Sequence, residues 1–247
     1  MYIILFIVFK SFLFSETFDL LYVEANQLYI NESYEKSIDK YEEIIAGGKR
    51  NSKIYYNLGN AYFRIDKIGA AIWAYENALR LDPRDKNIIY NLEIANNYKI
   101  DRISMPDTFF LLKVYRKMHL YFTFEEWVLF GSVLLFSLTL YSLLKNIYNF
   151  KSKVLQNIFH FLFFTIIIVS IIIIDGYFDK KYSYDQAIFI IKSEALSGPS
   201  YDNHKILFEV NEGSKAEIIR DENGWADIIL LDGKSGWVKS KDIRLLE

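Results

Sequence analysis

Residues 57–83 read NLGNAYFRIDKIGAAIWAYENALRLDP, and this stretch decides the architecture. It lies within Ser52 to Asp85, a span of 34 residues, with Tyr55, Leu58, Gly59, Tyr62, Ala71, Tyr75, Ala78 and Pro83 at fixed intervals. Gly59 and Ala71 lack bulk, so two antiparallel helices can approach closely there. Tyr62, Tyr75 and Ala78 are placed to fill the space between neighbouring helix pairs. Pro83 cannot continue a helix, because it has no N–H and its ring clashes with the preceding turn.

These positions resemble the consensus of the tetratricopeptide repeat, whose period is also about 34 residues. Asp66 departs from it, standing where the turn between the helices often has Gly. One period earlier, residues 18–51 repeat the plan more loosely, with Ala25, Leu28, Tyr34, Tyr41 and Ile44 in the helix-facing positions and Ser37 where Ala is usual. After the second unit (52–85), NIIYNLEIANNY (Asn87 to Tyr98) resembles the first helix of an incomplete third, a capping helix over 86–98. A terminal half-unit that closes the stack is expected of such arrays. The resemblance thus implies an α-solenoid over 18–100. By repeat position its inner surface presents Tyr22, Asn26 and Tyr29, then Tyr56, Asn57, Asn60 and Phe63, then Asn87, Tyr90 and Asn91. Some family members grip a C-terminal carboxylate with two Asn and several basic residues. Asn26 and Asn57 match the two Asn, but Tyr22, Asn87 and Asn91 replace the basic residues. A neutral, aromatic peptide groove is therefore expected, with Asn pairing to peptide backbone. The alternative is a passive surface on which these side chains only pack and solvate.

The apolar residues, 52% of the 247, are clustered. Trp127 to Leu144 carries no charge, and neither does Val154 to Ile174. At about 1.5 Å per residue, each is long enough to cross the hydrocarbon core of a bilayer. Trp127 and Tyr141 are placed near the two interfaces. The loop 145–153 holds Lys145, Lys151 and Lys153 and no acid, a positive-inside signal that puts it in the cytoplasm. The parts before and after the spans then face the other side. Arg102, Lys113, Arg116 and Lys117 argue against this orientation, offset by Glu125 and Glu126. The aromatic stretch 107–124 reads as an amphipathic linker at the interface or as a helix packed on the repeats. Residues 1–15 read as a signal-peptide core or N-terminal anchor, with Ser15 before a cleavage point, although Lys10 interrupts the run. A buried first helix is the other reading.

From residue 184 to 247 the pattern changes to short β-type runs, AIFII, ILFEV, AEIIR, WADIIL and GWVK, separated by Gly, Asn and Asp. ALSGPS (Ala195 to Ser200), NEGSK (Asn211 to Lys215), Gly224 with Trp225, and DGKSGWV (Asp232 to Val238) together resemble a bacterial SH3 domain, a small all-β barrel. Gly213, Gly224, Gly233 and Gly236 are expected in tight turns, and Pro199 fixes another. Trp225 and Trp237 are expected to fill a small core. If instead they face a ligand, Tyr201, Trp225 and Trp237 form its aromatic surface. The resemblance implies cell-wall peptides or protein segments as ligands.

Catalysis finds little support. The chain has no Cys, which excludes disulfides, thiolate nucleophiles and zinc–thiolate sites. His119, His160 and His204 lack metal-ligand spacing. Phosphate-loop, HExxH and GxSxG motifs are absent. Glu42–Glu43 and Glu125–Glu126 are adjacent pairs, which on a helix do not face each other. His160, six residues into the second span, is an intramembrane His and so a functional candidate, but near the cytoplasmic end it can snorkel. No enzyme, cofactor or metal is expected. A net charge of −2 gives no field to recruit nucleic acid.

The order of parts resembles E-type proteins of the Bacteroides aerotolerance (Bat) family along nearly the full chain. That resemblance implies an α+β, multidomain, multi-pass protein of the bacterial inner membrane with its folded parts in the periplasm. It also implies a scaffold that docks membrane proteins with von Willebrand A domains and a MoxR-type ATPase system, in stress tolerance. The competing expectation is an anchor whose SH3-like part binds peptidoglycan.

Overall fold

The computed structural model describes residues 18–101, 110, 114–115, 118, 121–148, 152–182, 186–200, 202 and 204–247. The expected segment 1–15, most of 107–124 and Tyr201 lie outside the described residues.

Among the described residues five helices come first: α1 over residues 18–30, α2 (Tyr34–Ala46), α3 (Ser52–Arg64), α4 (Ile68–Leu81) and α5 (Lys86–Asn97). Local chemistry explains two of the starts. Asn51 accepts from Lys53 N, and Asp85 accepts from Asn87 N and Ile88 N, so orphan N–H groups of α3 and α5 are satisfied. Asp66, between α3 and α4, has φ +61°, the left-handed region that Gly would favour. A Cβ on Gly59 would lie 2.6 Å from the Tyr75 ring, which is the close α3–α4 approach the sequence implies. Ser37 is buried with its Oγ donating to Ala25 O at 2.8 Å, so a hydroxyl is tolerated where Ala is usual.

Seven strands follow: β1 (Gln186–Phe189), β2 (Ser193–Leu196), β3 (Ile206–Val210), β4 (Lys215–Glu222), β5 (Trp225–Leu230), β6 (Ser235–Lys239) and β7 (Ile243–Leu245). They form one antiparallel sheet in the order β3-β2-β6-β5-β4-β1-β7. Its core is built largely from small and branched residues, among them Ala187, Ala195, Ala216, Ala226, Ile228 and Val238, around the fully buried Phe189. Trp225 and Trp237 are not in that core, contrary to expectation. Side chains alternate along β5 and β6, and both rings fall on the half-exposed face while Ala226 and Val238 point inward. Gly236 is likewise no turn residue. It is buried within β6, where a Cβ would crowd Ala195 and Leu196 of β2.

The helices before residue 106 and the strands after residue 184 belong to one compact unit. Their seam is centred on α4. Trp73, fully buried, donates from Nε1 to Leu245 O at 2.6 Å. Arg244 stacks on the Trp73 ring at 3.4 Å and makes a two-pronged pair with Glu42 at 2.6 Å on each arm. Glu247 accepts from Tyr55 OH at 2.7 Å and pairs with Arg50 at 3.1 Å. Gly69 N donates to the Glu212 carboxylate, Lys215 pairs with Glu76 at 3.2 Å, and Asp101 accepts from the backbone and side-chain amides of Asn211. Ile188 and Leu246 sit in the same core cluster as the helices.

The second unit spans residues 107–183 and contains α6 (Phe124–Tyr148) and α7 (Lys153–Tyr182), of 25 and 30 residues. Both are long and apolar enough to cross a membrane. They pack through Trp127, Val169 and Ile172. A Cβ on Gly131 would lie 2.9 Å from Ile173 Cδ1, so the small residue permits the approach. Tyr115 OH donates to Asp175. His160 is exposed on α7 with its ring edge-on to Phe159.

Candidate functional site

The first helices of the array, α1, α3 and α5, carry the Tyr and Asn residues expected on the inner surface. The structure ties most of them into rungs. Asn57 Nδ2 donates to Tyr22 OH at 3.1 Å and to Asn26 Oδ1 at 2.9 Å, and Tyr41 OH donates to the same Oδ1 at 2.6 Å. Asn91 Nδ2 donates to Tyr56 OH at 3.1 Å and to Asn60 Oδ1 at 2.8 Å, and Tyr75 OH donates to that oxygen at 2.8 Å. The sequence separations, 35, 31 and 15, are identical in the two sets. Each rung is therefore the same bond network moved on by one period. Burial pushes the Tyr41 hydroxyl up to about 12 and holds the Tyr75 hydroxyl well above its ordinary range, so both act as neutral donors.

The rungs change what the Asn residues offer. Both amide hydrogens of Asn57 are engaged within the array, as are both of Asn91. With the Nδ2 groups taken up, the half-buried Asn57 and Asn91 have their Oδ1 atoms as the remaining side-chain acceptors. Such a surface suits N–H donors of a peptide backbone and does not suit a carboxylate.

Beside the second rung lies a cleft of about 180 Å3, lined by Tyr29, Asn60, Phe63, Arg64, Tyr75, Asn91 and Ile94. Pockets for drug-sized ligands start at about 300 Å3, so this one suits a side chain or two. Four of its residues, Tyr29, Asn60, Phe63 and Asn91, were expected on the inner surface. Tyr75 was expected between helix pairs, and Arg64 and Ile94 were not expected at all, although Arg64 is four residues after Asn60 and Ile94 three after Asn91, on the same helix faces. Arg64 lies over the Tyr34 ring at 4.7 Å, and Phe63 meets Tyr98 edge-on at 5.4 Å. Asn87 and Tyr90 are exposed and outside the cleft.

The other expected surface is on the sheet. Trp225 and Trp237 share its half-exposed face, Trp225 opposite Lys239 and Trp237 opposite Asp227. Arg220 covers the Trp237 ring at 5.2 Å and bridges to Asp227 at 2.9 Å. On the other side Trp237 pairs with Leu196 of β2, which is fully buried. Among the described residues no three His, Asp or Glu side chains converge on a metal-sized site.

No family model matches the sequence, and no curated protein matches it.

Proposed function

We propose that this chain is a membrane-anchored scaffold that docks protein partners on the inner surface of a tetratricopeptide-type array. The observation that carries this reading is the cleft and rung surface on α1, α3 and α5, left open while the strands occupy α4. Acceptors repeated once per period favour an extended segment whose backbone supplies the donors. Adjacent helices lie about 8–10 Å apart and an extended chain rises about 3.3 Å per residue, so successive rungs read roughly every third residue.

The placement at the membrane has its own support. A folded unit built from both ends of the chain lies wholly on one side of a bilayer. The two apolar helices between those ends then cross as a hairpin, and Lys145, Lys151 and Lys153 put its tip in the cytoplasm. The array and the SH3-like sheet accordingly face the periplasm of a bacterial inner membrane. Partners of the kind implied by Bat-family resemblance are membrane proteins with von Willebrand A domains, working with a MoxR-type ATPase.

A photo-crosslinking residue at Phe63, activated in intact membranes and followed by mass spectrometry, tests the docking role. Adducts to a von Willebrand A protein that vanish when Asn91→Leu removes a rung support it. A second reading, binding of cell-wall peptide on the sheet, gains from the half-exposed Trp225 and Trp237. Retention on purified peptidoglycan that Trp225→Ala abolishes in a folded variant would favour that reading instead.

A further inference from the structure

We propose that the outward face of α1 docks an amphipathic helix of a partner protein, one with basic residues flanking its apolar side. Leu20, Val23 and Ile30 are 67%, 64% and 69% exposed, and they are joined on that face by Gln27. Positions 20, 23, 27 and 30 follow the alternating three- and four-residue steps of a heptad seam, the spacing with which one helix receives another. The opposite side of α1 is already used, since Ala25 is buried and Leu21, Tyr22 and Tyr29 pack against the core of the array. Arrays of stacked helices ordinarily end in a polar face, because an apolar end exposes surface that water disfavours. No described element covers this one.

Charge selects the occupant. Asp19 and Glu24 flank the stripe on α1 itself, and the neighbouring exposed surface of α2 adds Glu35, Asp39 and Glu43. Against these five acids stand three bases, Lys36, Lys40 and Lys49, of which Lys40 is shared between Glu24 at 3.5 Å and Glu43 at 3.3 Å and Lys49 lies over the Phe18 ring at 5.9 Å. The end of the array is thus acidic. A second copy of this chain would bring one acidic end against another, and anionic lipid would be repelled in the same way. A helix with Lys or Arg beside its apolar stripe gains both burial and attraction.

The test uses the full chain in phosphatidylcholine nanodiscs and a fluorescent peptide of about 18 residues, five turns, built from Leu and Lys in heptad order. Its comparators are the same peptide with Glu for Lys and a scramble of the Leu/Lys sequence, each corrected for binding to empty nanodiscs. The expected result is anisotropy showing the Leu/Lys peptide bound at least about tenfold more tightly than either comparator, with Val23→Lys removing about that factor. Gln27→Lys, at a position already polar and exposed, gives the same loss if Val23→Lys does not fold. Equal binding of the three peptides, or no effect of a substitution in a folded chain, overturns the proposal. So does a disulfide dimer of Val23→Cys, whose thiol would be the chain's single one, since that assigns the face to a second copy.

Discussion

Replacing Arg244 with Ala tests whether helices and strands form one cooperative body. Arg244 holds Glu42 with two bonds of 2.6 Å and stacks on Trp73, and both charged side chains are 29% exposed. Burial lowers the Arg244 pKa, but the bonds and charge of Glu42 outweigh that and leave it raised, so the guanidinium stays charged at every ordinary pH. Removing one partner of a fully buried pair costs about 3–5 kcal/mol, and an exposed pair contributes under about 1 kcal/mol. This pair lies between those limits, and the stacking on Trp73 is lost with it, so Arg244→Ala should cost about 2–3 kcal/mol. At about 3 °C per kcal/mol for a unit of this size, the melting temperature falls by roughly 6–9 °C. Near-ultraviolet circular dichroism reports the environment of Trp73 and the other buried rings. A cycle with Glu42→Ala should give a coupling above about 1 kcal/mol. A coupling under about 0.5 kcal/mol, or a sheet signal that melts apart from the helices, would mean that helices and strands do not form one cooperative body.

Other outcomes follow from the same geometry. Gly59→Ala drives a methyl group into the Tyr75 ring and should destabilise the array by about 1–3 kcal/mol, read as a lower denaturant midpoint. Asn57→Leu removes one rung and leaves Asn26 Oδ1 with Tyr41 alone, at a cost of about 1 kcal/mol in the same assay. For Tyr41 the folded pKa of about 12 exceeds the ordinary 10.0, so its stabilising contribution is complete below pH 10 and is lost as pH rises towards 12. Absorbance at the tyrosinate band should therefore show this ring titrating late, and Tyr41→Phe should make alkaline unfolding less steep.

Features with a local signature were legible in the sequence. The 34-residue spacing of Asn26 with Asn60, Asn57 with Asn91, and Tyr41 with Tyr75 is visible in the string and recurs as identical bonds. The two uncharged stretches needed only their length to announce α6 and α7. The short alternating runs likewise read as strands, and an antiparallel sheet is present. What stayed hidden depends on partners far along the chain. Trp73 drew no attention because its acceptor, Leu245 O, is 172 residues away, and Glu42 read only as one of an adjacent acidic pair because Arg244 is 202 residues away. The faces of Trp225 and Trp237 turned on strand phase, which the GW steps alone do not settle. The sequence also suggested that Asn57 is free to meet a ligand with its N–H groups, because a hydrogen bond between side chains of different repeats leaves no mark on composition.

In the proposed arrangement the chain's two flanks fold together on one side of the membrane. Single cysteines at the exposed positions Glu93 and Glu222, introduced one at a time into the cysteine-free chain, test it directly when treated with an impermeant thiol reagent in intact cells. Both should label from outside the cytoplasmic membrane, to the same extent. Labelling of one from outside and of the other only after lysis would contradict it.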